Sequence, residues 1–493
     1  VVALVSAKRQ QLLMMKQGHY DLVIVGTGFA STFFLKKYLS KAGPEKKVLV
    51  LEKGHFYPQA ERLKVKKGLH SEYEKYEQPW QDNINNLSDF KEWPFTTAYG
   101  GSSNCWWGCT PRFMPNDFKM KSMYGIGQDW PVSYGDLDPY YYEAEDIMSV
   151  SGPEETPFPR KGKYPLPAHA FTLVDKILHK TYGNQYISQP GARASRATAH
   201  RNGCLAFSTC ETCPVNAKFT IENSGLTIFQ DERVELIYGA EVYSLELDNT
   251  IVKSVLFSID GKDHKVRGEA VVLGTNPFFN SNILLNAGDQ NPFTGRGLGE
   301  QLGMQVLIYL ENMTNAGGSN WVNANGYMLY DGAHRKDYAA CLIEANNAPY
   351  DIRLERGKYL NVASFRMVFE DLPLDSNYIT KGADRFKPDV HFKDRSAYTL
   401  KGVENMKKKL PAILSCLPVE ELKFLPPASH EGHIIGGTRM SADPALGVVD
   451  KHMIHHQYRN LFVLGAGSFT TFGPSNPTLT LSALSLFAAD KSF

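Results

Sequence analysis

Long apolar runs are missing from this chain. No stretch of its 493 residues approaches the roughly 20 consecutive apolar residues of a membrane-spanning helix, so no transmembrane segment is expected. The chain starts at Val1 rather than methionine, and its apolar opening, residues 1–5, is too short for a secretory core. A cytoplasmic protein is the expectation, with a periplasmic one the alternative if a signal has been removed. Net charge is also lacking: 53 Lys plus Arg face 52 Asp plus Glu. That balance leaves no general electrostatic reason to expect nucleic acid as a partner. The basic clusters at residues 64–67 and 407–409 are short and read as solvated surface. Seven cysteines in such a length do not form the disulfide framework of a small secreted domain. Internal repeats and low-complexity tracts are absent as well.

What is present is an ordinary globular composition, 43% hydrophobic, in a chain long enough for two domains or one large domain with insertions. The strongest local signal stands at residues 20–31. Leu22, Val23, Ile24 and Val25 form a short β-branched run suited to a strand buried on both faces. Gly26 permits a tight turn, and Gly28 lets backbone approach a phosphate. Phe33, Phe34, Leu35, Tyr38 and Leu39 follow at helical spacing, so a helix N-terminus there aims free N–H groups at an anion. The next apolar run ends in Glu52, about twenty residues past the glycines, where a carboxylate accepts from a ribose hydroxyl. Ser31 replaces the third glycine of the pattern. Lys53 is the only strongly basic residue nearby, so no 2′-phosphate site is evident.

Further along, residues 99–112 are dense in Gly and Ser, which suits backbone passing close to a flat ring. Ser133 caps a helix running through Tyr140 to Met148. Strands are expected over residues 226–238, 241–247 and 251–259, with a buried strand from Ala270 ending at Thr275. Residues 303–370 hold several strand-like stretches, and residues 398–414 are helical. A second terminal segment, residues 461–480, reads as a buried strand, a polar loop and a helix start. The two ends together suggest one dinucleotide site. The fold expected is α/β, a Rossmann-like cofactor domain with a second, mostly antiparallel α+β substrate domain. Residues 19–150, 203–302 and 430–493 are assigned to the first, and 151–202 and 303–429 to the second.

These motifs resemble, in order and across nearly the whole chain, the glucose–methanol–choline (GMC) oxidoreductases. The resemblance rests on Gly26, Gly28 and Glu52, on Gly100-Gly-Ser-Ser-Asn104, on Ala217-Lys218, and on the closing His433-Ile-Ile-Gly-Gly-Thr-Arg-Met440 with Ser475-Asn-Pro-Thr478. The loop Gly101 to Phe113 is most similar to the pyranose-oxidase and glycoside-oxidase branch. The resemblance implies FAD, held by Gly26, Gly28, Ser31, Glu52, Lys53, Gly101, Ser102, Ser103, Asn104, Cys105, Val242, Thr275, Gly465, Ala466, Asn476, Pro477 and Thr478. In some pyranose oxidases a histidine in this loop carries a covalent flavin bond; Cys105 stands at the matching position here, which speaks against a histidyl link and leaves a cysteinyl one open. Two departures stand out. Ala466 takes the place of an acidic residue, and Thr275-Asn-Pro-Phe-Phe279 replaces a small-residue run.

The activity implied is oxidation of a secondary hydroxyl of a sugar or glycoside, with hydride passing to flavin N5. A histidine titrates near working pH and suits proton removal. An asparagine amide can hold the same oxygen. By the family motif His433 is the base and Asn476 its partner. The electron acceptor is oxygen or a redox partner, and an oligomer is compatible with the sequence. Cys204, Cys210 and Cys213, the last followed by Pro214, are the unresolved feature. Packing or a disulfide is the simpler reading. An iron–sulfur cluster is the other, and it would make the enzyme a sugar dehydrogenase feeding a partner protein. A non-redox lyase on the same flavin scaffold is a further alternative, as is a chain that binds FAD only structurally.

Overall fold

The computed structural model describes residues 19–207, 209–347 and 352–493; the apolar opening at residues 1–5 lies outside them. Two sheets dominate. The chain enters through β1 (His19–Val25), helix α1 (Phe29–Lys41) and β2 (Val48–Glu52), and later adds β3 (Val234–Tyr238), β4 (Glu241–Asp248), β5 (Ile251–Ile259) and β6 (Lys262–Leu273). Helix α2 (Pro277–Ala287) then leads out to β7 (Leu302–Leu310), β8 (Val322–Gly326), β9 (Cys341–Asn346), β10 (Val362–Phe369) and β11 (Val419–Pro427). The chain returns through β12 (Leu461–Val463) and ends in α3 (Thr478–Ser492).

The first sheet has the order β3-β2-β1-β6-β5-β4, with β12 also paired to β6. β3, β2, β1, β6 and β12 are parallel neighbours, whereas β6, β5 and β4 pair antiparallel. Strand β6 serves both layers. Its first half, Lys262 to Val266, pairs with β5, and its second half runs beside β1 and β12. The central strands are apolar on both faces because helices cover them: Leu22, Val23, Ile24, Leu49, Val50, Val271 and Val272 are all inaccessible or nearly so. The strand expected over 226–238 begins only at Val234. Residues 228–230 form a short 3-10 turn instead, and the Arg233 side chain bonds Asp231 and the carbonyls of Leu39 and Ala42.

The second sheet has the order β11-β7-β10-β9-β8 with a short strand, Tyr186–Ser188, at its far edge, and every pairing is antiparallel. Side chains alternate between its faces. Met304, Val306, Ile308, Ile343, Ala345, Phe365 and Met367 pack in one apolar core with Val403, Met406 and Leu410 of the helix Ala397–Ile413. The opposite face carries Gln305, Glu344, Asn346 and Arg366, which line a large chamber. Register puts Glu344 beside Arg366 and Arg366 beside Gln305, a polar row across three strands. Among the described residues, no helix is long and apolar enough to cross a membrane.

Candidate active site

The chamber has a volume of about 910 Å³ and reaches from the β1–α1 turn to His433 and Asn476. At its first end Gly26 holds φ +94°, and a Cβ there would lie 3.0 Å from the Gly274 carbonyl oxygen. Gly28 has no atom within 4 Å of the place a Cβ would take. It precedes α1 as an N-cap that offers no side-chain hydrogen bond, so the first amides of the helix stay free for an anion. Glu52 accepts from the Thr27 amide and hydroxyl at 2.9 and 2.6 Å and from the Gly54 amide at 2.7 Å. Burial nevertheless raises its carboxyl above the usual range. These residues fit a dinucleotide: backbone donors for the pyrophosphate, a buried carboxyl for a ribose.

The third-glycine position explains itself. Ser31 is fully buried and its hydroxyl contacts the carbonyls of Val25 and Gly274 at 3.4 and 3.3 Å. A Cβ on Gly274 would fall 2.0 Å from that hydroxyl oxygen. Close helix–strand packing is thus achieved with the small residue on β6's end rather than on the helix.

Of the residues expected around the cofactor, Gly26, Gly28, Glu52, Lys53, Gly101, Ser102, Cys105, Val242, Thr275, Gly465, Ala466, Asn476, Pro477 and Thr478 line the chamber. Ser31, Ser103 and Asn104 lie outside that lining. Ser31 is occupied with packing. The Ser103 hydroxyl accepts from the Ile221 amide at 3.1 Å, and the Asn104 amide donates to the Tyr99 carbonyl at 2.9 Å, so both shape the loop. The unusual Thr275-Asn-Pro-Phe-Phe279 stretch starts α2: Asn276 caps it by accepting from the Phe278 amide, with Pro277 at the first turn.

At the other end, His433 is anchored twice. Its backbone N–H donates to Glu300 Oε1 at 2.9 Å, and its Nδ1 meets Gln301 Oε1 at 2.5 Å. An amide oxygen accepts only, so Nδ1 carries the proton and Nε2 is left as the acceptor. The Gln301 amide in turn donates to the carbonyls of Gly473 and Ser475 at 2.5 and 2.7 Å, tying His433 to the loop that bears Asn476. Glu300 is itself paired with Lys91, both side chains fully buried. Burial lowers the imidazole to about 4, against the opposing pull of Glu300, so the ring is neutral at ordinary pH. Asn476 is 5% exposed, its amide bonds the Glu344 carboxyl, and its Oδ1 has no partner among the described residues.

The substrate-side wall was not found from the sequence. Trp107 and Trp321 line it with ring centroids 4.2 Å apart. Arg366 pairs with Glu431, and Glu344 accepts from Gln189 at 3.2 Å. Burial first, and then Glu431, push the Glu344 carboxyl up to about 7. The available signal was a lone polar residue inside an otherwise apolar strand, as at Gln305, Glu344 and Arg366.

All seven cysteines are free thiols. Cys109 is held by Arg193, Cys204 lies 3.7 Å from Asn320 Oδ1, and the Ala217 amide donates to Cys213 at 3.3 Å. Among the described residues, no three His, Cys, Asp or Glu side chains converge as metal ligands.

A cradle for a dinucleotide facing a neutral histidine across one chamber defines a flavin-dependent oxidoreductase. Comparisons with known proteins agree. Residues 401–485 match the GMC oxidoreductase family. The chain is 29% identical to the fructose dehydrogenase large subunit of Gluconobacter japonicus, over 95% of this chain and 97% of that protein. It is 25% identical to paromamine 6'-oxidase of Streptomyces fradiae, over 80% and 79% of the two chains. The fold is shared with pyridoxine 4-oxidase of Mesorbium loti, at a TM-score of 0.65 and 16% identity, covering 96% and 99%. The chain is thus similar to the GMC oxidoreductases, and it is an FAD-dependent enzyme acting on CH–OH donors.

Proposed function

We propose that the protein oxidises a secondary hydroxyl of a sugar or glycoside, with His433 as general base. Bound FAD supplies the hydride acceptor, N5 of its ring. The observation that carries this reading is the engagement of His433 Nδ1 by Gln301. It leaves Nε2 as a proton acceptor on a ring that burial keeps neutral. The Asn476 side chain, pinned through Ser475 and Gln301, is the partner that orients the reacting oxygen. The paired indoles of Trp107 and Trp321 offer the apolar, flat surface that sugar rings favour and help exclude water. Names of the relatives support the substrate class, since one is a fructose dehydrogenase and another a paromamine oxidase.

The test is anaerobic. The purified yellow protein is mixed with a panel of sugars and glycosides and flavin bleaching is followed. Bleaching that survives unchanged in His433→Ala would remove the assigned base. Absence of any bleaching would favour the lyase alternative. The iron–sulfur dehydrogenase remains the rival, resting on three thiols near the buried cations Arg193 and Lys218. Acid-labile sulfide, bound iron and absorption beyond the flavin bands would establish it.

A further inference from the structure

We propose that Glu344 and Asn346 form a second anchoring point for the substrate, taking a hydroxyl next to the one oxidised, so that the enzyme selects neutral vicinal diols over simple alcohols. The proposal rests on the alcohol-oxidation reading above. Glu344 and Asn346 are two residues apart on β9 and so share its chamber face. Both line the chamber and are 5% and 4% exposed. Among the described residues, Oδ1 of Asn346 has no partner, and neither has Oδ1 of Asn476. The Glu344 carboxyl accepts from Gln189 and Asn476 and retains acceptor capacity beyond these. Buried acceptors without donors are costly to leave unmet. A substrate hydroxyl is a donor that meets these acceptors.

Charge decides between hydroxyl and ammonium donors. Arg366 pairs with Glu431 at the chamber wall. Arg193 is buried behind it, donates to Gln189 Oε1 at 2.5 Å, and Gln189 donates on to Glu344. Among the described residues Arg193 makes no ion pair; its other bonds go to Asn320, Cys109 and the carbonyls of Trp107 and Val322. The two guanidinium groups and the two carboxylates cancel. Neutral hydroxyls fit this wall, and a cation finds no uncompensated charge. Glu344 and Asn476 are hydrogen-bonded neighbours, and both line the same chamber as His433.

The test compares cyclohexanol with trans-cyclohexane-1,2-diol, read as the anaerobic flavin-reduction rate over half-saturation. The intact enzyme should prefer the diol by about 10- to 100-fold, the range for hydrogen bonds to a charged group. Glu344→Gln removes one acceptor beside Asn476; it should slow cyclohexanol oxidation and slow the diol far more, so that the preference collapses. Asn346→Leu, which does not touch Asn476, should reduce the preference too and serves if the first variant loses flavin. Equal loss on both alcohols overturns the anchor and makes Glu344 structural. A stronger preference for trans-2-aminocyclohexanol, lost in Glu344→Gln, overturns the neutral-donor assignment. If neither alcohol nor any sugar bleaches the unmutated enzyme, the underlying alcohol-oxidation reading fails instead.

Discussion

The two ends of the chamber are built from different materials. At the β1–α1 end the working groups are backbone: the Gly26 turn, the open Gly28 and the free amides of α1, backed by one carboxyl. At the His433 end they are side chains drawn from β7, β9, β10, the Glu300–Gln301 segment and the closing loop. A pyrophosphate is the same in every enzyme that binds FAD, so a backbone cradle with a strict φ requirement serves it. Substrates differ, and side chains can be exchanged without altering the sheet that carries them. The cradle should therefore fail as a whole, and the substrate end should fail in separable parts.

The most complete loss of function, through loss of the flavin itself, is expected at the backbone end. Gly26→Ala places a side chain in a left-handed conformation with its Cβ 3.0 Å from a carbonyl; the protein should purify colourless, with FAD affinity down by about 100-fold, on a strain of roughly 1–3 kcal/mol. Flavin content per protein measures it. His433→Ala should retain flavin yet reduce it about 10³-fold more slowly, within the range for a general base. Gln301→Leu should come next, about 10- to 100-fold slower, because the imidazole loses the bond that fixes its tautomer; half-saturation should barely move. The rate of flavin reduction by a simple alcohol should fall as pH drops through about 4. The depressed pKa keeps the basic form until then, and protonation below it removes the acceptor. Ser31→Gly should be mildest. It loses two weak contacts and gains helix entropy cost, about 1 kcal/mol of stability, seen as a small drop in melting temperature with flavin retained.

The cradle was legible because its grammar is local. Gly26, Gly28 and Glu52 lie within one βαβ unit, and each residue type has a steric or hydrogen-bonding reason to be there. His433 and Asn476 were legible only through family motifs. The geometry adds what motifs do not carry, the Gln301 bond and the Lys91–Glu300 pair behind it. Glu344 and Arg366 were hidden for a different reason. Each is the single charged residue of a mostly apolar strand, and nothing local tells which face of a sheet meets a chamber. Their register against Gln305 appears only when β7, β9 and β10 assemble. Ser103 and Asn104 bond the Ile221 amide and the Tyr99 carbonyl, since loop residues in such a turn divide between lining a site and bracing the lining, and spacing does not separate the two.

The exchange between Ser31 and Gly274 has a wider consequence. The tightness that a third glycine supplies is a volume shared by two chain segments, and here the emptied half sits on the strand instead of the helix. A search that insists on three glycines in a row would pass over such proteins, whereas one that sums side-chain bulk across the two facing positions would find them. Engineers moving this cradle into another scaffold would need to transplant Gly274 together with residues 26–31, or the hydroxyl at position 31 would have nowhere to go.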